Sequence, residues 1–144
     1  MFKALSVFII FIFTIALGFA AHAQTAKTAP PLDAAKYLEV SDDDHDFGNI
    51  AYGITAMYHV QLKNISSDTL ALTNIVVTCG CTTPDYKSGL YPPAAAIDLT
   101  VAYDSGVEGD FKKQLSVLLQ DNQKRVIVKI LRFHGTSVVE KNKS

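Results

Sequence analysis

The 144-residue sequence predicts an all-β domain, an antiparallel sandwich of two sheets and about seven strands, on three observations. Short segments alternate apolar and polar residues with a period of two. Turn formers separate these segments roughly every 8 to 12 residues. No stretch downstream of the first 23 residues carries a helical period.

The clearest segment runs from Ile54 to Lys63. Ile54, Ala56, Tyr58, Val60 and Leu62 fall on one face, and Thr55, His59, Gln61 and Lys63 fall on the other. Side chains alternate across a strand, so this reads as a half-buried one. Ala95 to Tyr103 repeats the pattern, with Ile97, Leu99, Val101 and Tyr103 in phase, and so does Phe111 to Leu119, with Leu115, Val117 and Leu119. Leu70 to Val77 and Arg125 to Phe133 are β-rich but alternate less cleanly, which predicts burial on both sides or a bulge. Turns are expected at Asn64 to Asp68, Pro84 to Pro93, Asp104 to Gly109 and Asp121-Asn122.

The chain opens with Met1-Phe2-Lys3 and an apolar run from Leu5 to Ala21. Ala21-His22-Ala23 then has the small-x-small form of an export-signal cleavage site. Residues 1–23 are therefore read as a signal peptide, and 24–36, containing Pro30 and Pro31, as a flexible leader. The sandwich is expected over 37–138 and a charged tail over 139–144. Without the signal 121 residues remain, enough for one domain. The net charge is −1 for the whole chain, with the charges scattered, so no basic face exists to bind nucleic acid. The first 23 residues hold five of the eight phenylalanines and leave only Phe47, Phe111 and Phe133 downstream. The core is expected to rely on Ile, Val, Leu and Tyr.

The only two cysteines, Cys79 and Cys81, flank Gly80. In extended backbone their Cα atoms would stand about 6.6 Å apart, the far edge of disulfide range. Gly80 can adopt backbone angles closed to other residues and tighten the segment. A local bridge, packed reduced thiols, a bond to another chain and a metal site all remain open, and a local bridge would close too short a loop to add much stability. Two thiolates supply half of a tetrahedral zinc site or a near-linear copper(I) site. No histidine stands at ligand spacing from them, so His45, His59 and His134 are read as surface residues and no metal is expected.

Other chemistry is thinner. Asp42, Asp44 and Asp46 match the first ligand positions of a calcium-binding EF-hand, but Phe47 stands where glycine is needed and Gly53 where a bidentate glutamate is needed. A solvated acidic loop is expected. No nucleophile elbow, linked Ser or Cys with His and acid, or phosphate-cradling loop is present, so no catalytic residue and no cofactor are expected. Asn64-Ile65-Ser66 and Asp68-Thr69-Leu70 resemble glycosylation acceptors and read as ordinary turns.

Asp46-Phe47-Gly48-Asn49-Ile50, then Asn64 closing a strand, Thr78-Cys79-Gly80-Cys81-Thr82-Thr83-Pro84 and Tyr103-Asp104-Ser105 form an ordered series. It resembles the bacterial family called domain of unknown function 1573, exported immunoglobulin-like domains akin to the hydin and major-sperm-protein group. The likeness spans about Leu38 to Gly135. It implies Asp46, Phe47 and Gly48 at the opening strand and the pair Cys79 and Cys81 at a strand end, with Thr82 and Pro84 completing the motif. Two positions depart from the family pattern: Asn64-Ile65-Ser66 stands for Asn-x-Gly, and Pro92-Pro93-Ala94 for the common Pro-Gly turn.

These readings combine into an exported, non-catalytic immunoglobulin-like module in a bacterial periplasm or medium, without stable membrane insertion once the signal is removed. The expected partner is another envelope or secreted protein, contacted through a sheet edge or the loops Asp42 to Gly53 and Thr82 to Pro93. The competing expectation is a thiol redox or copper(I)-handling protein acting through Cys79 and Cys81.

Overall fold

A computed structural model describes residues 30–139. The expected signal peptide, the expected leader up to residue 29 and the expected tail from residue 140 lie outside the described residues. Nine strands are present among those described: β1 (Leu38–Val40), β2 (Asp44–Ala51), β3 (Thr55–Asn64), β4 (Leu70–Val77), β5 (Thr82–Tyr86), β6 (Gly89–Tyr91), β7 (Ala96–Asp104), β8 (Gly109–Gln120) and β9 (Val126–Val138). They form a four-stranded sheet, β1-β3-β7-β5, facing a five-stranded sheet, β2-β9-β8-β4-β6.

The strongly alternating segments fold as expected. Tyr58, Val60 and Leu62 of β3 and Ile97, Leu99, Val101 and Tyr103 of β7 line the inner face of the first sheet. Phe111, Leu115, Val117 and Leu119 of β8 meet them from the second. Each such side chain contributes roughly 1.5–3 kcal/mol by leaving water. In β4 the inward phase passes from Leu70 and Leu72 to Ile75, because a bulge between Leu72 and Asn74 inserts one residue opposite β8. β9 holds unbroken register with β8, and its outward Val126, Val128 and Ile130 are half-buried beside Leu118.

Five expectations change. There are nine strands instead of about seven, since β1 and β6 are only three residues long and carry no legible period. The sandwich is not purely antiparallel: β2 runs parallel to β9. The stretch Asp42 to Gly53 is mostly strand β2, not loop, and Thr82 to Pro93 holds β5 and β6. Packing begins before Tyr37: Leu32 bridges to Ile127 and its N–H donates to the Val126 carbonyl at 2.8 Å, and a 3-10 turn at Ala34–Lys36 follows, started by Asp33. Ile54 leaves the inward face and lies 58% exposed in the β2–β3 turn, while the inward phase of β3 ends on the buried Asn64.

The core is also more aromatic than expected. Phe47 of β2, Phe111 of β8 and Phe133 of β9 meet Tyr58 and Tyr103 of the facing sheet, with ring centroids 4.3–6.3 Å apart. His45 lies flat on Tyr58 at 4.4 Å while its Nδ1 sits 2.6 Å from Asp42 Oδ2, so it is not a free surface residue. His59 is exposed and bonded to Thr100, and His134 is half-exposed beside Asp44 and Asp46.

Candidate functional site

Three elements of the sequence motif converge at one end of the sandwich. The first is Asp46-Phe47-Gly48. Gly48 adopts φ +61°, a conformation that favours glycine, and its N–H donates to Asp46 Oδ1 at 2.8 Å. This kink shifts the β2–β9 register between Asp46 and Asn49 and turns the Phe47 ring into the aromatic cluster. Opposite it, Gly135 must lack a side chain, because a Cβ there would stand 2.8 Å from the Gly48 carbonyl oxygen and from Phe111 Cζ.

The second element is the cysteine pair. β4 belongs to one sheet and β5 to the other, so Thr78 to Cys81 carries the chain across the sandwich. Cys79 and Cys81 are bridged, with Cα atoms 5.2 Å apart. Gly80 is absent from the positive-φ glycines, so the turn does not use the left-handed angles that the sequence suggested. It is exposed, with open space around it. Thr82 is buried, and its Oγ1 lies 3.5 Å from Cys79 Sγ and 4.0 Å from Cys81 Sγ.

Pro84 completes this element by protecting an edge. The Asp104 N–H donates to the Cys81 carbonyl at 2.9 Å, which places Cys81 and Asp104 in a hydrogen-bonded pair. Antiparallel pairs alternate, so Thr82, Pro84 and Tyr86 turn their backbone groups to the free side of β5. Proline has no N–H to offer there, and the Thr82 N–H already faces the Cys79 carbonyl at 3.4 Å. The remaining edges are blunted too. β1 and β6 are short, and β2 is kinked at Gly48 and carries Asp44 and Asp46.

Ser105 is the third element. It is 1% exposed, and its hydroxyl lies 2.8 Å from the carbonyls of Ala51 and Ile54 while accepting the Ile54 N–H at 3.2 Å. Its own carbonyl accepts the Gly53 N–H, and the Tyr52 N–H reaches Val138. These bonds gather the β2–β3 turn, the β7–β8 loop and the end of β9. As a result Tyr52, Ile54, Val107, Val138 and Val139, five of the nine exposed large apolar residues among those described, share this end. Sequence reasoning quoted Ser105 but missed this apolar crown, because its members are single residues in separate turns.

Between the crown and the disulfide lies a groove of about 410 Å³. It opens because β4 pairs with β8 only as far as Leu115, leaving the half-buried, inward-phased Lys113 paired with β9 alone and open on its β4 side. Cys81, Tyr103 and Phe111 line the groove together with Asp104, Val107, Asp110, Lys112 and Lys113. Among the described residues no group of three or more His, Cys, Asp or Glu side chains could hold a metal ion. Nor is any helix there long and apolar enough to cross a membrane.

No curated protein matches the chain. Solved structures do. The PapD-like domain 7 of human CEP192 superposes with a TM-score of 0.61 at 15% identity, covering 85% of this chain and 98% of that one. The VesB protease of Vibrio cholerae gives 0.62 at 11% identity over 72% of this chain, and the match spans 32% of the protease chain. A protein of unknown function from Porphyromonas gingivalis W83 gives 0.58 at 18% identity, covering 73% of this chain and 49% of its own. At such identities the likeness concerns the fold, a PapD-like, immunoglobulin-like sandwich. The family model described as "Protein of unknown function (DUF1573)" matches residues 38–133, and the chain belongs to that family.

Proposed function

We propose that the protein is an exported, non-catalytic immunoglobulin-like module that holds another envelope or secreted protein at its Ser105 end. The apolar crown carries this reading. Val107 is 75% exposed and Ile54 58% exposed, on loops pinned from beneath by a buried serine. Rigid loops presenting apolar side chains lose little entropy when a partner covers them. The edges support the same choice, since a kink, Pro84 and short strands oppose strand addition. The export signal read at residues 1–23 supports a location in the periplasm or medium.

The test is co-purification from envelope fractions. The Ile54→Asp/Val107→Asp double variant should lose a partner that the wild type retains, with an unchanged circular dichroism spectrum. Equal recovery by a folded double variant sinks the crown reading. Amino-terminal sequencing of the exported protein should begin at Gln24.

A second reading has its own supporting observation. The sulfurs are bridged across one residue, with Cys81 at the wall of a groove, an arrangement suited to thiol redox work. Copper(I) handling would first require reduction, because a bridged pair offers no thiolate.

A further inference from the structure

We propose that the Cys79–Cys81 bridge is a thiol–disulfide exchange centre that receives a cysteine-bearing segment of a partner protein in the adjoining groove, with Cys81 as the attacked sulfur. The inference deepens the second reading above. A bridge spanning only Gly80 ties no two distant elements together, so cross-linking the fold does not explain it. Its placement does suggest a use. Cys81 lines the groove and Cys79 does not.

A thiolate entering the groove therefore meets Cys81 Sγ, with Cys79 as the leaving group. Lys112 and Lys113 on the groove wall favour the anionic nucleophile over its neutral thiol, working against Asp104 and Asp110 on the same wall, whose carboxylates accept hydrogen bonds from Thr55 and Thr136. Val107, 75% exposed on the groove wall, supplies an apolar surface for the residues flanking the partner cysteine, above a floor closed by the buried Tyr103 and Phe111 rings. Thr82 Oγ1 stands 3.5 Å from Cys79 Sγ and donates its proton as negative charge develops there.

The chemistry balances. The partner's sulfur bonds to Cys81 Sγ as the Cys79–Cys81 bond breaks, and the bonding electron pair leaves on Cys79 Sγ. The mixed disulfide then has two exits. Cys79 can return and expel the partner thiol unchanged, or a second thiol of the partner can attack its own bridged sulfur. In the second case the partner is oxidised by two electrons to a disulfide, and Cys79 and Cys81 are left as two thiols.

Reduced glutathione is the probe. The oxidised protein is incubated with it, quenched in acid, alkylated and mapped by peptide mass spectrometry. Glutathione should sit on Cys81 and the alkyl group on Cys79. Thr82→Val should slow exchange on the order of tenfold, because a hydrogen bond to the leaving thiolate is lost. Lys113→Gln should slow it several-fold and weaken the salt dependence of the rate, with both variants retaining the wild-type circular dichroism spectrum. Glutathione mainly on Cys79, or Lys113→Gln exchanging with wild-type rate and salt dependence, overturns the groove-directed mechanism while exchange itself stands. A bridge that stays closed under excess glutathione, yet opens on denaturation, removes the exchange reading altogether.

Discussion

Tyr58 is 3% exposed, and its hydroxyl has no hydrogen-bond partner among the described residues. Burial and the charge of Asp42 push its pKa up to about 12, so the phenol is held neutral. Tyr58→Phe should therefore leave stability unchanged or raise it by up to about 1 kcal/mol in urea titrations. The pH dependence has a definite sign. A raised folded-state pKa gives stability that is complete below pH 10 and fades as pH rises towards 12. The variant should lose less stability than the wild type in that window.

Asn64 is the opposite case. It is fully buried, its Nδ2 donates to the carbonyls of Asp68 and Tyr91 at 2.8 and 2.9 Å, and its Oδ1 accepts from the N–H and hydroxyl of Ser66. That is no acceptor for a glycan. Asn64→Ala should cost about 2–4 kcal/mol by chemical denaturation, because it removes four hydrogen bonds made by a fully buried side chain. The sequence placed Asn64 at a strand end but could not show its burial, which depends on the β6–β7 connection arriving from 27 residues away.

Two connections decide more than their lengths suggest. Where the resemblance implies Pro-Gly, this chain has Pro92-Pro93-Ala94, and Ala94 takes the glycine-type conformation at φ 65° while its N–H donates to the Asn64 carbonyl. The turn geometry is kept at the cost of backbone strain. Ala94→Gly should raise the melting temperature, with a net gain of up to about 1 kcal/mol after the added unfolded-state entropy.

In the β8–β9 turn, Asp121 accepts N–H groups of Gln123 and Arg125 at 2.9 Å and pairs with the Arg125 guanidinium at 2.6 Å. Burial works to raise its pKa, but the backbone N–H and guanidinium of Arg125 and the N–H of Gln123 together hold it below the usual carboxylate range. A lowered folded-state pKa gives stability that is complete above about pH 4 and lost as pH falls through the folded value. Asp121→Asn should flatten the acid limb of a melting-temperature profile below pH 4. Turn formers made this connection legible in the sequence. The irregular phases of β4 and β9 were legible only as a choice, which the bulge settled for β4 and unbroken register with half-buried outward residues settled for β9.

Across the whole molecule, the chain crosses between sheets at Thr78 to Cys81, and the disulfide lies on that crossing without joining the sheets covalently. The Cys79→Ser/Cys81→Ser variant should remain folded and lose less than about 2 kcal/mol by denaturant titration, since so short a loop restricts the unfolded chain little. A larger loss would assign the bridge to architecture. The apolar crown and groove arise at the same scale, where Ser105 draws together segments 51 to 54 residues apart.

Sequence alone determined the all-β class, the inward faces of β3, β7 and β8, and the proximity of Cys79 and Cys81, because two-residue alternation and adjacency are local properties. It also supplied the family, through an ordered set of short motifs. Only the tertiary structure decided that Asp42 to Ala51 carries a kinked parallel edge strand, that Pro84 faces a free edge, and that Cys81 borders a groove. Edge position, backbone direction and cavities depend on which strands meet, and a single chain segment does not encode its neighbours.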